Sequence, residues 1–377
     1  MSVTFRYASL EEYPRISAFL DEHWAKDHIY VRSRALFDWT FTRTNHWNES
    51  GYSFALAEDG GEIVGILGGI PFDLNVFGKR SNGVWIVNYA VRPDHRKGST
   101  ALQLLSMFRR DAFPVVIACG LNPATTVIYR VLRGLVLPEM PRHFVVLPGA
   151  EERMVDLLCI TYPEWPRGRA LSVAGAFRLD SAQEGGAEAG DGVPLRWDEI
   201  DWPQIATQTV GPVRDADYLN WRYQKHPSFQ YRFLSVADAS RTGLAVWRLE
   251  TIVSTTERGR DEVDRIGRLV EFLPSSTANA RHLLRAFFQQ LRACGALGAD
   301  FYGYNGAGRA LLAENGFAAI EVHPDGGMIP SRFQPLDGHG GAMLNAMFMR
   351  ELLPTCSAAA DCPWYWTKSD SDQDRPN

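Results

Sequence analysis

Cysteine is scarce in this 377-residue chain: there are five, at positions 119, 159, 294, 356 and 362, without CxxC spacing. An odd, scattered set speaks against a disulfide framework and against a zinc site, so reduced thiols and no metal are expected. Long apolar runs are also missing. No stretch reaches membrane-spanning length, so no membrane insertion is expected. The opening MSVTFRYASLEEYPRI has neither the basic end nor the apolar core of a signal peptide, and a cytoplasmic location is the expectation. Positive charge is in deficit as well. The net charge of −5 gives no general attraction to nucleic acid or to an anionic membrane. An anionic ligand would need local positive charge.

What is present is the composition of a globular protein, 45% hydrophobic and 22% charged, with length for two domains and a tail. The two halves are related. Leu36-Phe37-Asp38-Trp39-Thr40-Phe41 is echoed by Tyr218-Leu219-Asn220-Trp221-Arg222-Tyr223, and Gly134-Leu135 by Gly316-Phe317. The offset is 182 residues both from Trp39 to Trp221 and from Gly134 to Gly316. A constant spacing of this kind marks an internal duplication. Residues 181–192 are rich in Gly and poor in apolar side chains. They suggest a first domain over 1–165, a linker over 166–192, a second domain over 193–330 and a C-terminal extension over 331–377. Arg6–Leu20 has helical spacing, and Ala342–Leu353 also reads as a helix.

The most informative segment is 85–135. An apolar run, Trp85-Ile86-Val87-Asn88-Tyr89-Ala90-Val91, is followed by Arg92-Pro93-Asp94-His95-Arg96-Lys97-Gly98-Ser99-Thr100-Ala101 and an amphipathic helix. A strand that stops at a Pro and opens a helix through small residues leaves backbone N–H groups unpaired beside basic side chains, a site suited to a polyphosphate. A second strand over Pro114–Cys119 leads to Asn122, and a helix then carries Tyr129 ahead of Gly134. The bland alternative is a capped surface helix with solvated basic residues.

Taken together, this segment resembles the acetyl-CoA site of the GNAT superfamily of N-acyltransferases. Arg96-Lys97-Gly98-Ser99-Thr100-Ala101 stands where that family has its Arg/Gln-x-x-Gly-x-Gly/Ala pyrophosphate turn, with Ser99 in place of the middle Gly. Asn122…Tyr129…Gly134-Leu135 is similar to the family's Asn…Tyr…Gly-Phe stretch, with Leu135 in place of Phe. The resemblance implies an α/β chain of two tandem GNAT folds, each a mixed, mostly antiparallel sheet flanked by helices, with acetyl-CoA as acyl donor. It further implies that Arg96 to Ala101 bind pyrophosphate, that Asn122 lies near the pantetheine arm, and that backbone groups of Ala90 and Val91 pair with it at a strand bulge. Tyr129 would be the catalytic acid. A neutral phenol stays protonated at pH 7 and can give a proton to a departing thiolate.

The remaining roles are open at this level. Trp85–Val91 contains no Glu to serve as a base; Asn88 and Tyr89 would act only through a water, and His23, His28 and His46 lie in the helical region. Cys119, near Asn122, leaves a covalent thiol route open. The second half lacks both the phosphate turn and a counterpart of Tyr129, and Glu271 is its one carboxylate placed like a base. Trp364, Tyr365 and Trp366, followed by Asp370, Asp372, Asp374 and Arg375, have the makings of a sugar-binding surface or of a frayed acidic end. A narrower likeness, to GNAT proteins of bacterial surface-polysaccharide clusters, implies a small-molecule amine acceptor, an amino sugar or nucleotide-linked amino sugar, attacking the thioester directly. The alternatives are an aminoacyl or longer-chain acyl transferase and an inactive CoA-binding or scaffold protein.

Overall fold

The computed structural model describes residues 3–43, 47, 50–109, 113–180, 200, 202–238, 241–255, 261–338, 343–349 and 363–376. His46, Cys356, Cys362 and the Gly-rich 181–192 segment lie outside the described residues. The first half supplies strands β1 (Thr4–Tyr7), β2 (Phe54–Asp59), β3 (Glu62–Val76), β4 (Lys79–Val91), β5 (Val115–Leu121), β6 (Leu135–Val136) and β7 (Arg142–Val146). The second supplies β8 (Val210–Pro212), β9 (Arg232–Asp238), β10 (Arg241–Thr255), β11 (Asp261–Leu273), β12 (Gly298–Asn305) and β13 (Ala318–Ala319). A small hairpin, β14 (Arg332–Phe333) and β15 (Leu336–Asp337), precedes β16 (Leu344–Met349) and β17 (Tyr365–Thr367). The result is an α/β fold with two mixed, mostly antiparallel sheets flanked by helices, as the sequence suggested.

The duplication is visible in the strands. β3 and β10 each have 15 residues, and β4 and β11 each have 13. The two sheets run β1-β2-β3-β4-β5-β16-β6 and β13-β7-β12-β11-β10-β9. Trp39 and Trp221, the matched tryptophans, stack face to face with ring centroids 4.7 Å apart. The repeat thus meets itself across an internal interface.

The domain boundary is not where composition placed it. β7, at residues 142–146, leaves the first half and pairs with β12 in the second sheet. β16, from the C-terminal extension, returns to the first sheet between β5 and β6. Each sheet therefore completes itself with a strand from beyond its own stretch of chain. The expected 166–192 linker also contains the helix Arg167–Ala176, whose Ala170, Val173 and Ala174 are buried. Two local readings change as well. Arg6 lies in β1, and the first long helix starts only at Tyr13. The Leu344–Met349 part of the expected Ala342–Leu353 helix is a strand, because pairing on both edges outweighs the helix preference of its Leu, Ala and Met residues.

The tail is not frayed, and its aromatic residues do not form an exposed platform. Trp364, Tyr365 and Trp366 are buried, and Trp366 packs against Trp85 of β4 and Tyr304 of β12. The acidic residues after them find arginines. Asp370 accepts from Arg214 at 2.6 Å, and Asp374 lies 2.7 Å from Arg248, all four being buried. Arg214 also pairs with Glu271 at 2.7 Å, while Tyr223 and Tyr365 donate to the same carboxylate at 2.7 and 2.5 Å. Glu271 is thus a structural anchor, not a base. Breaking such a pair leaves a charge buried alone. Asp370→Ala should cost about 3–5 kcal/mol in urea unfolding, and a loss below about 1 kcal/mol would show that the tail is held some other way.

Candidate active site

The site begins where two strands part. β4 and β5 pair in parallel from Gly83–Val115 to Ile86–Ala118 and no further. Beyond that point β4 continues to Val91 along β3, and β5 continues to Leu121 along β16. Their facing edges are left without ladder partners, and the gap opens into a cavity of about 490 Å³. A bulge lies at the same place. Between Ile66–Ala90 and Gly68–Val87 the register shifts by one residue, and Asn88 adopts φ +50°.

Asn88 is the unusual residue of this bulge. Its side chain borders the cavity, and both its amide nitrogen and its amide oxygen are buried with no hydrogen-bond partner. An unpaired buried polar atom costs about 1–3 kcal/mol, so the protein holds two such atoms ready at the gap. Sequence reading credited Asn88 only with a water-mediated role. Its signal, an Asn within an apolar strand, was visible but did not reveal the bulge.

Five of the ten residues singled out in the sequence, Ala90, Val91, Arg96, Asn122 and Tyr129, line this cavity, and Lys97, Gly98, Ser99, Thr100 and Ala101 do not. Arg96 donates from Nε to the Val91 carbonyl at 2.8 Å, fixing the turn against the end of β4. Lys97, Gly98 and Ser99 continue it as an exposed bend, and the helix Thr100–Arg109 starts there. A Cβ on Gly98 would meet only the His95 carbonyl oxygen, at 3.9 Å, so the space over the turn is open. Ala101 receives the Tyr89 hydroxyl on its carbonyl, tying the helix to the bulged strand. Thr100 is buried beneath the turn. The Asn122 side chain accepts from the Ala124 N–H at 3.0 Å, so it caps the turn that leads into the helix Thr126–Val131.

Tyr129 stacks on Phe348 of β16 with centroids 5.2 Å apart, and its hydroxyl makes no hydrogen bond among the described residues. Burial raises its phenol above the ordinary tyrosine value, which keeps it protonated at neutral pH. The exchanged strand thus positions the candidate acid.

The wall also has residues from distant parts of the chain. Asp372, Gln373 and Arg375 arrive from the C-terminal tail, and His23 and Trp24 from the end of the helix Tyr13–His23. Gln373 packs so closely that a Cβ on Gly120, itself at φ +74°, would lie 2.9 Å from it. Asp372, 3.0 Å from Arg375, is the one carboxylate among the described lining residues. His28 does not reach the wall. It accepts from the Tyr30 N–H, and burial, with Arg375 and Arg32 adding to it, pushes its imidazole down to about 4.

The second sheet has the same parting and plugs it. β11 and β12 pair only over Gly267–Ala299 to Leu269–Phe301, and β11 carries its extra residue at Val270, 182 positions after Asn88. Just past the parting, β17 pairs with β12, and Tyr365 reaches across to Glu271 and Phe272 of β11. The chain's own tail thus fills the place that stays open in the first sheet.

Comparison with known proteins agrees with this geometry. Residues 4–130 match the family model described as an acetyltransferase (GNAT) domain. No curated protein matches the sequence. Among solved structures, a GCN5-related N-acetyltransferase from Anabaena variabilis is similar at TM-score 0.54 and 12% identity, covering 92% of this chain and 72% of its own. Saccharomyces cerevisiae N-myristoyltransferase with bound myristoyl-CoA is similar at TM-score 0.55 and 12% identity, covering 92% and 82%.

The covalent thiol route does not fit the site. Burial pushes the Cys119 thiol up to about 12, so at pH 8 it stays a thiol. Iodoacetamide at pH 8 should therefore leave Cys119 unmodified in the folded protein while the half-buried Cys159 and Cys294 react. Alkylation of Cys119 at the rate of Cys159, read by peptide mass spectrometry, would contradict this. Residues 4–130 are thus similar to a GNAT acetyltransferase domain, set in a chain whose fold resembles that of solved N-acyltransferases.

Proposed function

We propose that the protein is an acyl-CoA-dependent N-acyltransferase with a single active site, in the first sheet. It moves an acetyl group to a primary amine on a small molecule, an amino sugar or a nucleotide-linked amino sugar. The observation that carries this reading is the open parting of β4 and β5, with the orphaned Asn88 amide at its bulge and Tyr129 on its wall.

Each part has a chemical task. Bound acyl-CoA supplies the activated acyl group. The basic turn at Arg96 and Lys97, with the N-terminus of the helix Thr100–Arg109, holds its pyrophosphate. Unpaired backbone groups of Ala90 and Val91 take the pantetheine amides, as a ladder neighbour would. The Asn88 side-chain N–H donates to the thioester carbonyl, which accumulates negative charge during attack. The Tyr129 hydroxyl gives its proton to the departing sulfur. His23 and Asp372, both on the cavity wall, are the groups assigned to take the proton that the amine loses. The plugged second sheet supports the first through the exchanged strands and takes no donor.

Titration calorimetry tests the donor site. Acetyl-CoA should bind in the micromolar range, and Arg96→Ala with Lys97→Ala should abolish that binding; no heat with either protein would overturn the reading. The acid is tested by turnover. Tyr129→Phe should lower kcat about a hundredfold while leaving acetyl-CoA affinity unchanged, and unaltered turnover would remove Tyr129 from the chemistry.

A further inference from the structure

A second cavity, of about 360 Å³, adjoins the first. Gly120, Leu121, Asn122, Gln373 and Arg375 line both, so one wall separates them. Its far side comes from the second sheet and the tail. Among the described residues, five cations line it, Arg248, Arg268, Arg332, Lys368 and Arg375, against two carboxylates, Glu250 and Asp374.

The carboxylates are already engaged. Arg268 lies 2.5 Å from both Glu250 and Asp300, and Arg248 lies 2.7 Å from Asp374. Arg375 is held by Asp372 at 3.0 Å. Against the cost of burial, Arg248, Arg222 and the Tyr231 hydroxyl hold the Asp374 carboxyl well below the usual carboxylate range, so it stays ionised and committed. Two cations are left over. Among the described residues, neither Arg332 nor Lys368 makes an ion pair; Lys368 lies near the ring of Tyr302, 5.5 Å from its Nζ, and feels Asp300, Asp374 and Glu250 only through space.

Lys368 is the telling residue. Burial and Arg268 beside it, opposed by Asp300, Asp374 and Glu250, push its ammonium down to about 8. A half-buried amine next to a guanidinium is an unfavourable arrangement in an empty cavity and a favourable one around an anion. Nothing in the fold requires it. β17 and the capping turn of Thr367 are completed by Asp370 and Ser369, without the Lys368 side chain.

We propose that this second cavity binds the anionic group of the acceptor, a phosphate or carboxylate carried by the same small molecule as the amine, with Lys368 and Arg332 as its ligands. The inference rests on the N-acyltransferase reading and narrows its acceptor to an anion-bearing amine. The amine then points through the shared wall of Asn122 and Gln373 toward the parting of β4 and β5. An uncharged amino sugar would offer neither cation an ion-pair partner.

The test uses inorganic phosphate and acetate as probes, titrated calorimetrically into the full chain carrying Arg96→Ala and Lys97→Ala, so that the donor turn contributes nothing. At least one probe should bind in the millimolar range. Adding Lys368→Gln or Arg332→Gln should weaken it about tenfold, and Lys368→Arg should restore it. Phosphate binding alone points to a phosphorylated acceptor, and acetate binding alone to a carboxylated one. Equal binding in all variants, or none in any, overturns the proposal. Should Lys368→Gln fail to fold by circular dichroism, the exposed Arg332→Gln decides. Acetyl-CoA titration of the unaltered chain is read separately. If acetyl-CoA binds and the probes do not, only the anion site falls; if the probes bind and acetyl-CoA does not, the acyltransferase reading falls and the acceptor assignment with it.

Discussion

Everything distinctive about this protein follows from one incomplete pairing. β4 and β5 run in parallel for four residue pairs and then separate, because a bulge at Asn88 turns β4 along β3 while β16 holds β5 on its other side. A sheet interior normally satisfies its backbone groups with its own strands. Here the unsatisfied edges are kept at the centre of the molecule, flanked by a basic turn and a buried phenol. Such an arrangement persists only if the surroundings hold both strands firmly, and the rest of the fold does that.

The holding is reciprocal. The first sheet borrows β16, whose Phe348 backs Tyr129, and the second borrows β7. The tail then stitches the two together, with Trp366 between Trp85 and Tyr304 and with Asp370 and Asp374 on buried arginines. The same tail closes the second parting and supplies Asp372, Gln373 and Arg375 to the first. A duplicated fold has thereby become asymmetric. One copy keeps the gap, and the other has become its support and the wall of the adjoining cationic cavity.

The elements around the parting were legible because they are local. A strand, a Pro, basic residues, small residues and a helix occur in order over 85–109, and Asn122 and Tyr129 follow within one strand and one helix. The likeness of the two halves was legible too, and their matched tryptophans touch. Strand exchange was not, because hydrophobic pattern states that a segment is a strand but not which sheet it joins. Leu344–Met349 was misread for a related reason, since its residues favour a helix until two neighbours pair with it. The tail defeated composition most completely. Its aspartates look solvated until Arg214, Arg222 and Arg248, more than a hundred residues earlier, are brought beside them. Asn88 sits between these cases. Its position could be read, but its orphaned amide depends on the bulge.

The most direct test of the central claim is amide hydrogen exchange with and without acetyl-CoA. The account predicts new protection over residues 87–91, 96–101 and 119–122, where unpaired edges and the basic turn acquire partners. It predicts no change over 269–273 and 303–305, where the tail already fills the gap. Protection in the second sheet instead, or none at the first parting under saturating acetyl-CoA, would contradict it.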